Sequence, residues 1–296
     1  MSSLIQKAIN AIIRPPRKEY SLSAIPLFFE SGDHRYIRQP LTFVNNRNQK
    51  IVGSLYQSAD MNPLRCHSCL IYLHGNASCQ FEGQFLVPNF CNYGVYVFCF
   101  DFVGCGNSDG EYISLGYYEK QDVEFLISTL NKTFGINQFV LWGRSMGAVT
   151  SLLAKSDMIK AVICDSSFTS ITDLCRSIGN TMNFPKAFVG LVIWFLKRRI
   201  IKKANFDVRD VAPIESVKTM NTPVVFGHAE DDEFIPYQQG LELYNTCVSK
   251  DKGFYPLTKG HNGTRSLKFL DFAIRFCLDN LGIECNNLKY ISLRMH

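Results

Sequence analysis

Ser145 sits in Gly143-Arg144-Ser145-Met146-Gly147, a G-x-S-x-G pentapeptide. A short apolar run, Phe139-Val140-Leu141-Trp142, precedes it, and Ala148, Val149, Leu152, Leu153 and Ala154 follow at helical spacing. A buried strand, a sharp turn and a helix form the setting in which a serine hydroxyl stands clear of its backbone and can attack a carbonyl. The turn brings strand and helix close together, which accounts for a glycine on either side. The helix start adds N–H groups and the positive end of its dipole beside the serine. A serine hydroxyl is a poor nucleophile near neutral pH. The chemistry therefore also needs a base for its proton, a carboxylate to orient that base, and N–H donors for the oxyanion.

Candidates for each part occur in a usable order. His261, in Lys259-Gly260-His261-Asn262-Gly263, follows an apolar run at Phe254-Tyr255-Pro256-Leu257 and is the expected base. The acid is expected in the loop after Thr222–His228, where Glu230, Asp231, Asp232 and Glu233 are adjacent. The spacing to Ile235-Pro236 favours Asp232 over Asp231. Asp101, at the end of Val95–Phe100, is a spare candidate. The N–H of Met146 is one expected oxyanion donor. The second is expected just after His74-Gly75, at Asn76, with Gly75 allowing the backbone to approach the reacting carbonyl. His74 reads as a structural brace. The turn Gly104–Gly110 lacks the Gly-Lys-Ser/Thr of a phosphate-binding loop and reads as a tight turn.

These residues need strands to carry them. Leu41–Val44 and Ile51–Tyr56 around an Asn-rich turn read as a hairpin. Leu70–Leu73, Val95–Phe100, Phe139–Trp142, Ala161–Cys164, the run from Thr222 and Phe254–Leu257 read as buried strands. Helical patterns lie between them, at Phe81–Cys91, Lys120–Phe134, Leu241–Val248 and residues 266–281. The expected architecture is α/β, with a mostly parallel sheet flanked by helices and the chemistry at the C-terminal strand ends. Residues 168–215 break the rhythm. They carry an apolar run, Phe188–Leu196, and then Lys197-Arg198-Arg199-Ile200-Ile201-Lys202-Lys203. The run is too short to span a bilayer, and the segment reads as a helical cap inserted over the serine. Residues 1–20 form an N-terminal amphipathic segment, its helical spacing over residues 3–13 stopped by Pro15-Pro16, either packed on the domain or touching a membrane surface.

Composition narrows the class. With 296 residues, 46% hydrophobic and 19% charged, the chain suits one globular α/β domain over 1–296. A net charge of +5 is too mild to argue for nucleic acid. Eleven cysteines, several inside apolar runs, and no secretory pattern point to a reduced, cytoplasmic setting, with peripheral membrane contact as an option. Cys66-His67-Ser68-Cys69 is a lone C-x-x-C, with no second pair to complete a zinc site.

Ile13-Arg14-Pro15-Pro16-Arg17, His74-Gly75-Asn76, Asp109–Gly116, Leu141–Ser151, Phe226-Gly227-His228-Ala229 and His261-Asn262 together resemble a known family. It is that of the plant and protist α/β-hydrolases called serine aminopeptidase-like. The resemblance extends from about Ile12 to Leu281. It implies an α/β-hydrolase fold and a Ser145–Asp232–His261 triad. More distantly, the chain is similar to the protein depalmitoylases of that fold. The expected activity is hydrolysis of a carboxylic ester or thioester of a small or lipid-like acyl substrate, with no cofactor or metal. A peptidase on the same triad, a membrane-associated lipase or depalmitoylase, and a non-catalytic binding protein on the same fold are the alternatives.

Overall fold

The structure is a computed structural model that describes residues 10, 13, 14, 16–62, 67–181 and 186–285. The helical pattern expected within residues 1–20 lies largely outside the described residues, as do Cys66 and the tail beyond residue 285. So do the side chains of 178–181, 186–189, 191, 192 and 196 within the inserted segment.

Nine strands form one sheet, in the order β1-β2-β3-β5-β4-β6-β7-β8-β9. Their ranges are β1 Phe28–Ser31, β2 His34–Val44, β3 Lys50–Ser58, β4 Ser68–Leu73, β5 Tyr96–Phe100, β6 Gln138–Arg144, β7 Ile159–Asp165, β8 Val224–Ala229 and β9 Lys252–Leu257. β1, β2 and β3 pair antiparallel, and β3 pairs antiparallel with β5. The six strands from β5 to β9 in this order are parallel. The expected hairpin is present, with Leu41 opposite Gly53 and Phe43 opposite Ile51.

Parallel strands buried on both faces read as continuous apolar runs, with alternate side chains serving opposite layers. β6 shows this directly. Phe139 and Leu141 join one core, with Phe98, Phe100 and Phe226, under helices α2 (Tyr117–Phe134), α3 (Met146–Leu153) and α7 (Tyr237–Thr246). Val140 and Trp142 join the other, with Val97, Ile163 and Val225, under α1 (Val87–Cys91) and α8 (Leu267–Asn280). Truncating a buried aromatic such as Trp142 to alanine costs about 3–5 kcal/mol.

Helix ends follow their local chemistry. The Ser266 side chain accepts a hydrogen bond from the Phe269 N–H and starts α8. Gly135, at φ +70°, ends α2 in the left-handed conformation. The helix expected over Phe81–Cys91 is divided: Gln80–Leu86 is a 3₁₀ turn, and α1 begins at Val87, with Pro88 in its first turn. Gly83 packs onto the Tyr72 ring, where a Cβ would lie 2.4 Å from the ring carbon. The tighter turn brings that residue against β4.

Between β7 and β8 the chain inserts α4 (Ile171–Thr181), α5 (Lys186–Ala204) and α6 (Pro213–Val217). Ile200 of α5 is fully buried and Lys197 pairs with Asp207 at 3.1 Å. Phe206 stacks on Tyr117, and the Tyr118 hydroxyl donates to the Asn205 carbonyl. No disulfide joins two described cysteines.

Candidate active site

Ser145 follows the last residue of β6 and precedes the first of α3. Its backbone is strained, at φ +53° and ψ −115°, a region non-glycine residues seldom occupy. The strain is held from three sides. The Ser145 N–H donates to the Asp165 carbonyl at the end of β7. A Cβ on Gly143 would lie 2.2 Å from the Gly147 oxygen, and one on Gly147 would lie 1.8 Å from the Leu73 oxygen. Both positions therefore admit only glycine, and the hydroxyl is left at the sheet edge.

The structure brings Ser145, His261 and Asp232 into one hydrogen-bonded series. With its proton on Nδ1, His261 donates to Asp232 Oδ2 at 2.8 Å, and its Nε2 accepts from the Ser145 hydroxyl at 3.0 Å. The loop after β8 turns back so that the N–H groups of Phe234 and Ile235 donate to Asp232 Oδ1 at 2.9 and 2.8 Å. Burial alone would raise the Asp232 carboxyl. The His261 hydrogen bond and those two amides outweigh it and hold the carboxyl below its ordinary value. Asp231 faces elsewhere, accepting from the Gly260 N–H at 2.9 Å, and so ties the acidic loop to the histidine loop.

Asp101 is committed to other partners. It accepts from the Tyr20 hydroxyl and from the N–H groups of Gln80 and Asn107, pinning the N-terminal stretch and the Gly104–Gly110 turn. His74 is fully buried. Its Nδ1–H donates to the Gly75 carbonyl, and its Nε2 accepts from the Phe102 N–H.

Several site residues had no signal in local spacing. Glu82 accepts from the Gly75 N–H at 3.1 Å and from the Tyr72 hydroxyl at 3.1 Å, and lies 3.7 Å from Arg144. Arg144 in turn donates to the His261 carbonyl at 3.0 Å. Arg265 donates to that same carbonyl while forming a two-point pair with Asp165 at 2.7 and 2.8 Å. His228 donates from Nε2 to the Ile235 carbonyl at 2.9 Å and lies 3.6 Å from Asp232 Oδ2. Burial lowers its pKa, which keeps the ring neutral. A motif reader could have flagged His228, but only a three-dimensional arrangement reveals what Glu82, Arg144 and Arg265 hold.

Met146 is the first residue of α3, so its N–H has no acceptor within the helix. Asn76 follows the Gly75 amide that Glu82 occupies. Asn76, Ser145 and His261 line one open cleft of about 470 Å³, with Gly75, Ser78, Glu82, Arg144, Phe234 and Asn262. Phe234 is half exposed and tilts against the His261 ring at 5.3 Å. No described side chain of residues 168–215 lines this cleft. No cluster of metal-ligating side chains occurs among the described residues.

A parallel sheet, a serine at a strained strand–helix turn, and a histidine and an acid from the following strand ends decide the fold. The chain is built on the α/β-hydrolase fold. Residues 66–210 match the model of a family described as serine aminopeptidase, S33. The lysophosphatidylserine lipase ABHD12 of Danio rerio is 31% identical over 216 residues, covering 70% of this chain and 52% of that protein. The chain thus spans about half the length of that curated relative. Among solved structures, the Pyrococcus furiosus esterase Pf2001 superposes with a TM-score of 0.66 at 16% identity, covering 90% of this chain and 98% of that one. Acetyl xylan esterase 1 from Thermoanaerobacterium sp. superposes with a TM-score of 0.63 at 18% identity, covering 94% and 93%. At such identities the structures speak to fold alone.

Proposed function

We propose that this protein is a serine hydrolase that cleaves a carboxylic ester of a lipid-like acyl chain through a Ser145 acyl-enzyme. The observation that carries this reading is the continuous series from the Ser145 hydroxyl through His261 to Asp232. In the proposed reaction His261 Nε2 takes the serine proton as Oγ attacks the ester carbonyl. The resulting oxyanion is received by the N–H groups of Met146 and Asn76. The imidazolium returns its proton to the leaving alkoxide, and the ester C–O bond breaks. His261 then draws a proton from water, whose hydroxide adds to the acyl carbon. The bond from that carbon to Ser145 Oγ breaks, the acid leaves, and His261 returns the proton to Oγ. Asp232 holds the imidazole with Nδ1 protonated and stabilises the cation. Thioesters react by the same steps.

The family description raises a peptidase on the same residues. A free amino terminus needs an available carboxylate in the cleft. Glu82 is the carboxylate lining it among the described residues, and the Gly75 amide, the Tyr72 hydroxyl and Arg144 already engage it. That favours the ester. The lipase name of the Danio rerio relative also favours an acyl lipid. The test is turnover of p-nitrophenyl esters of increasing chain length against aminoacyl p-nitroanilides, in wild type and Ser145→Ala. Ester turnover with an optimum at medium or long chains, lost in the variant, is expected. Turnover confined to the aminoacyl substrates would replace the ester reading with the peptidase one.

A further inference from the structure

Helix α5 carries Lys186, Lys197, Arg198, Arg199, Lys202 and Lys203 and no acidic residue. One side is seated: Ile200 is fully buried and Lys197 is paired with Asp207. The opposite side is not. At 100° per residue, Ile201, Trp194, Arg198, Lys202, Phe195 and Arg199 follow one another around an arc of about 160°. All six are exposed, Trp194 by 49% and Ile201 by 40%. The Arg198 guanidinium lies 4.6 Å from the Trp194 ring centroid, and that of Arg199 lies 5.5 Å from the Phe195 ring centroid.

Water suits the cations of this face but not its rings, and an apolar partner suits the rings but not the cations. The headgroup layer of an anionic bilayer suits both. Indole and phenyl rings rest at the boundary with the acyl chains, while arginine and lysine stems reach up to phosphate and carboxylate groups. No described helix is long and apolar enough to cross a membrane, so contact of this kind lies along the surface. We propose that the face of α5 formed by Trp194, Phe195, Arg198, Arg199, Ile201 and Lys202 docks the protein on an anionic phospholipid surface.

The placement of α5 gives the docking a use. The inserted helices leave the sheet after β7, and the Asp165 carbonyl at that strand's end holds the Ser145 N–H. The docking helix therefore belongs to an insertion that leaves the sheet at the same edge as the serine. Delivery of a lipid ester to the cleft rests on the hydrolase reading above, but docking itself does not.

The chain has two tryptophans, and Trp142 is buried in the core. A change in tryptophan emission on adding vesicles therefore reports Trp194. The full chain is mixed with phosphatidylcholine vesicles with and without phosphatidylserine. A blue shift, quenching by brominated acyl chains, and co-sedimentation that needs phosphatidylserine and weakens with salt are expected. Trp194→Ala/Phe195→Ala and Arg198→Gln/Arg199→Gln should each lower co-sedimentation by about tenfold or more. Both should leave hydrolysis of a soluble short-chain ester unchanged. Absence of a shift with phosphatidylserine vesicles, equal binding with and without that lipid, or full binding by both double variants would overturn the proposal. Vesicle binding by a protein that turns over no ester would leave the docking intact and remove the hydrolase reading.

Discussion

Helix α3 and the insertion that carries α5 leave the same edge of the sheet, and the two helices are used in opposite ways. Every residue of α3, from Met146 to Leu153, is buried, and its first turn is pressed against β4 so closely that Gly147 admits no side chain. Among the described side chains, α5 is anchored by Ile200, Ala204 and the Lys197–Asp207 pair, and turns aromatic and basic side chains outward. The contrast separates two demands. The chemistry proposed at Ser145 needs atoms fixed to fractions of an ångström, which dense packing and crossed hydrogen bonds supply. Contact with a soft surface needs chemical character rather than position, and an exposed helix face supplies that. Substitutions in the first region should therefore be severe and coupled, and those in the second mild and separable.

The largest expected effect is at the acid. Asp232→Asn should lower kcat/KM for a soluble ester by about 10⁴-fold, because the amide favours the wrong His261 tautomer. The same variant tests linkage. The folded Asp232 carboxyl lies below its ordinary value, so its stabilisation is present at neutral pH and is lost as pH falls through that depressed pKa. Urea midpoints measured downward from neutrality should fall in wild type and change less in Asp232→Asn.

Next comes the elbow itself. Gly147→Ala forces a Cβ against the Leu73 carbonyl and should cost about 3 kcal/mol or more of stability, read as a lower urea midpoint. Glu82→Gln should be milder. The amide can still accept from the Gly75 N–H but loses the charge facing Arg144, and a loss of about 10–100-fold in kcat with little change in KM is expected. The smallest effect belongs to α5. Trp194→Ala should move stability by no more than about 0.5 kcal/mol and leave kcat/KM for a soluble ester unchanged. A large loss there would erase the contrast between the two helices.

How far the sequence could be read follows the same division. The parallel strands were legible because burial on both faces writes them as apolar runs, and Phe139–Trp142 with its glycine-flanked serine has few other readings. β1 and the first half of β2 were not. Their residues alternate in exposure, and Glu30, Ser31, His34 and Arg35 around the turn leave the edge hairpin only a short apolar run, Leu27-Phe28-Phe29. Arg38, which composition would place on the surface, is buried and donates to the Ile25 carbonyl and Ser54. Chain order and the spacing to Ile235-Pro236 pointed to Asp232, whereas Asp101 remained a candidate until its contacts with Tyr20, Gln80 and Asn107 were visible. Arg144, Glu82 and Arg265 act through partners up to 117 residues away, which no local spacing records. For the inserted segment, composition gave the basic and apolar character, but only the helix register showed both kinds of side chain on one face.

The central claim is that Ser145 is an activated nucleophile. The direct measurement is labelling of native protein by a fluorophosphonate, read by mass as an adduct on the elbow peptide, in wild type and Ser145→Ala. Stoichiometric labelling of wild type at Ser145, absent in the variant and strongly slowed in Asp232→Asn, is the predicted result. A folded wild-type protein that takes no label, or one labelled equally after Ser145→Ala, would contradict it.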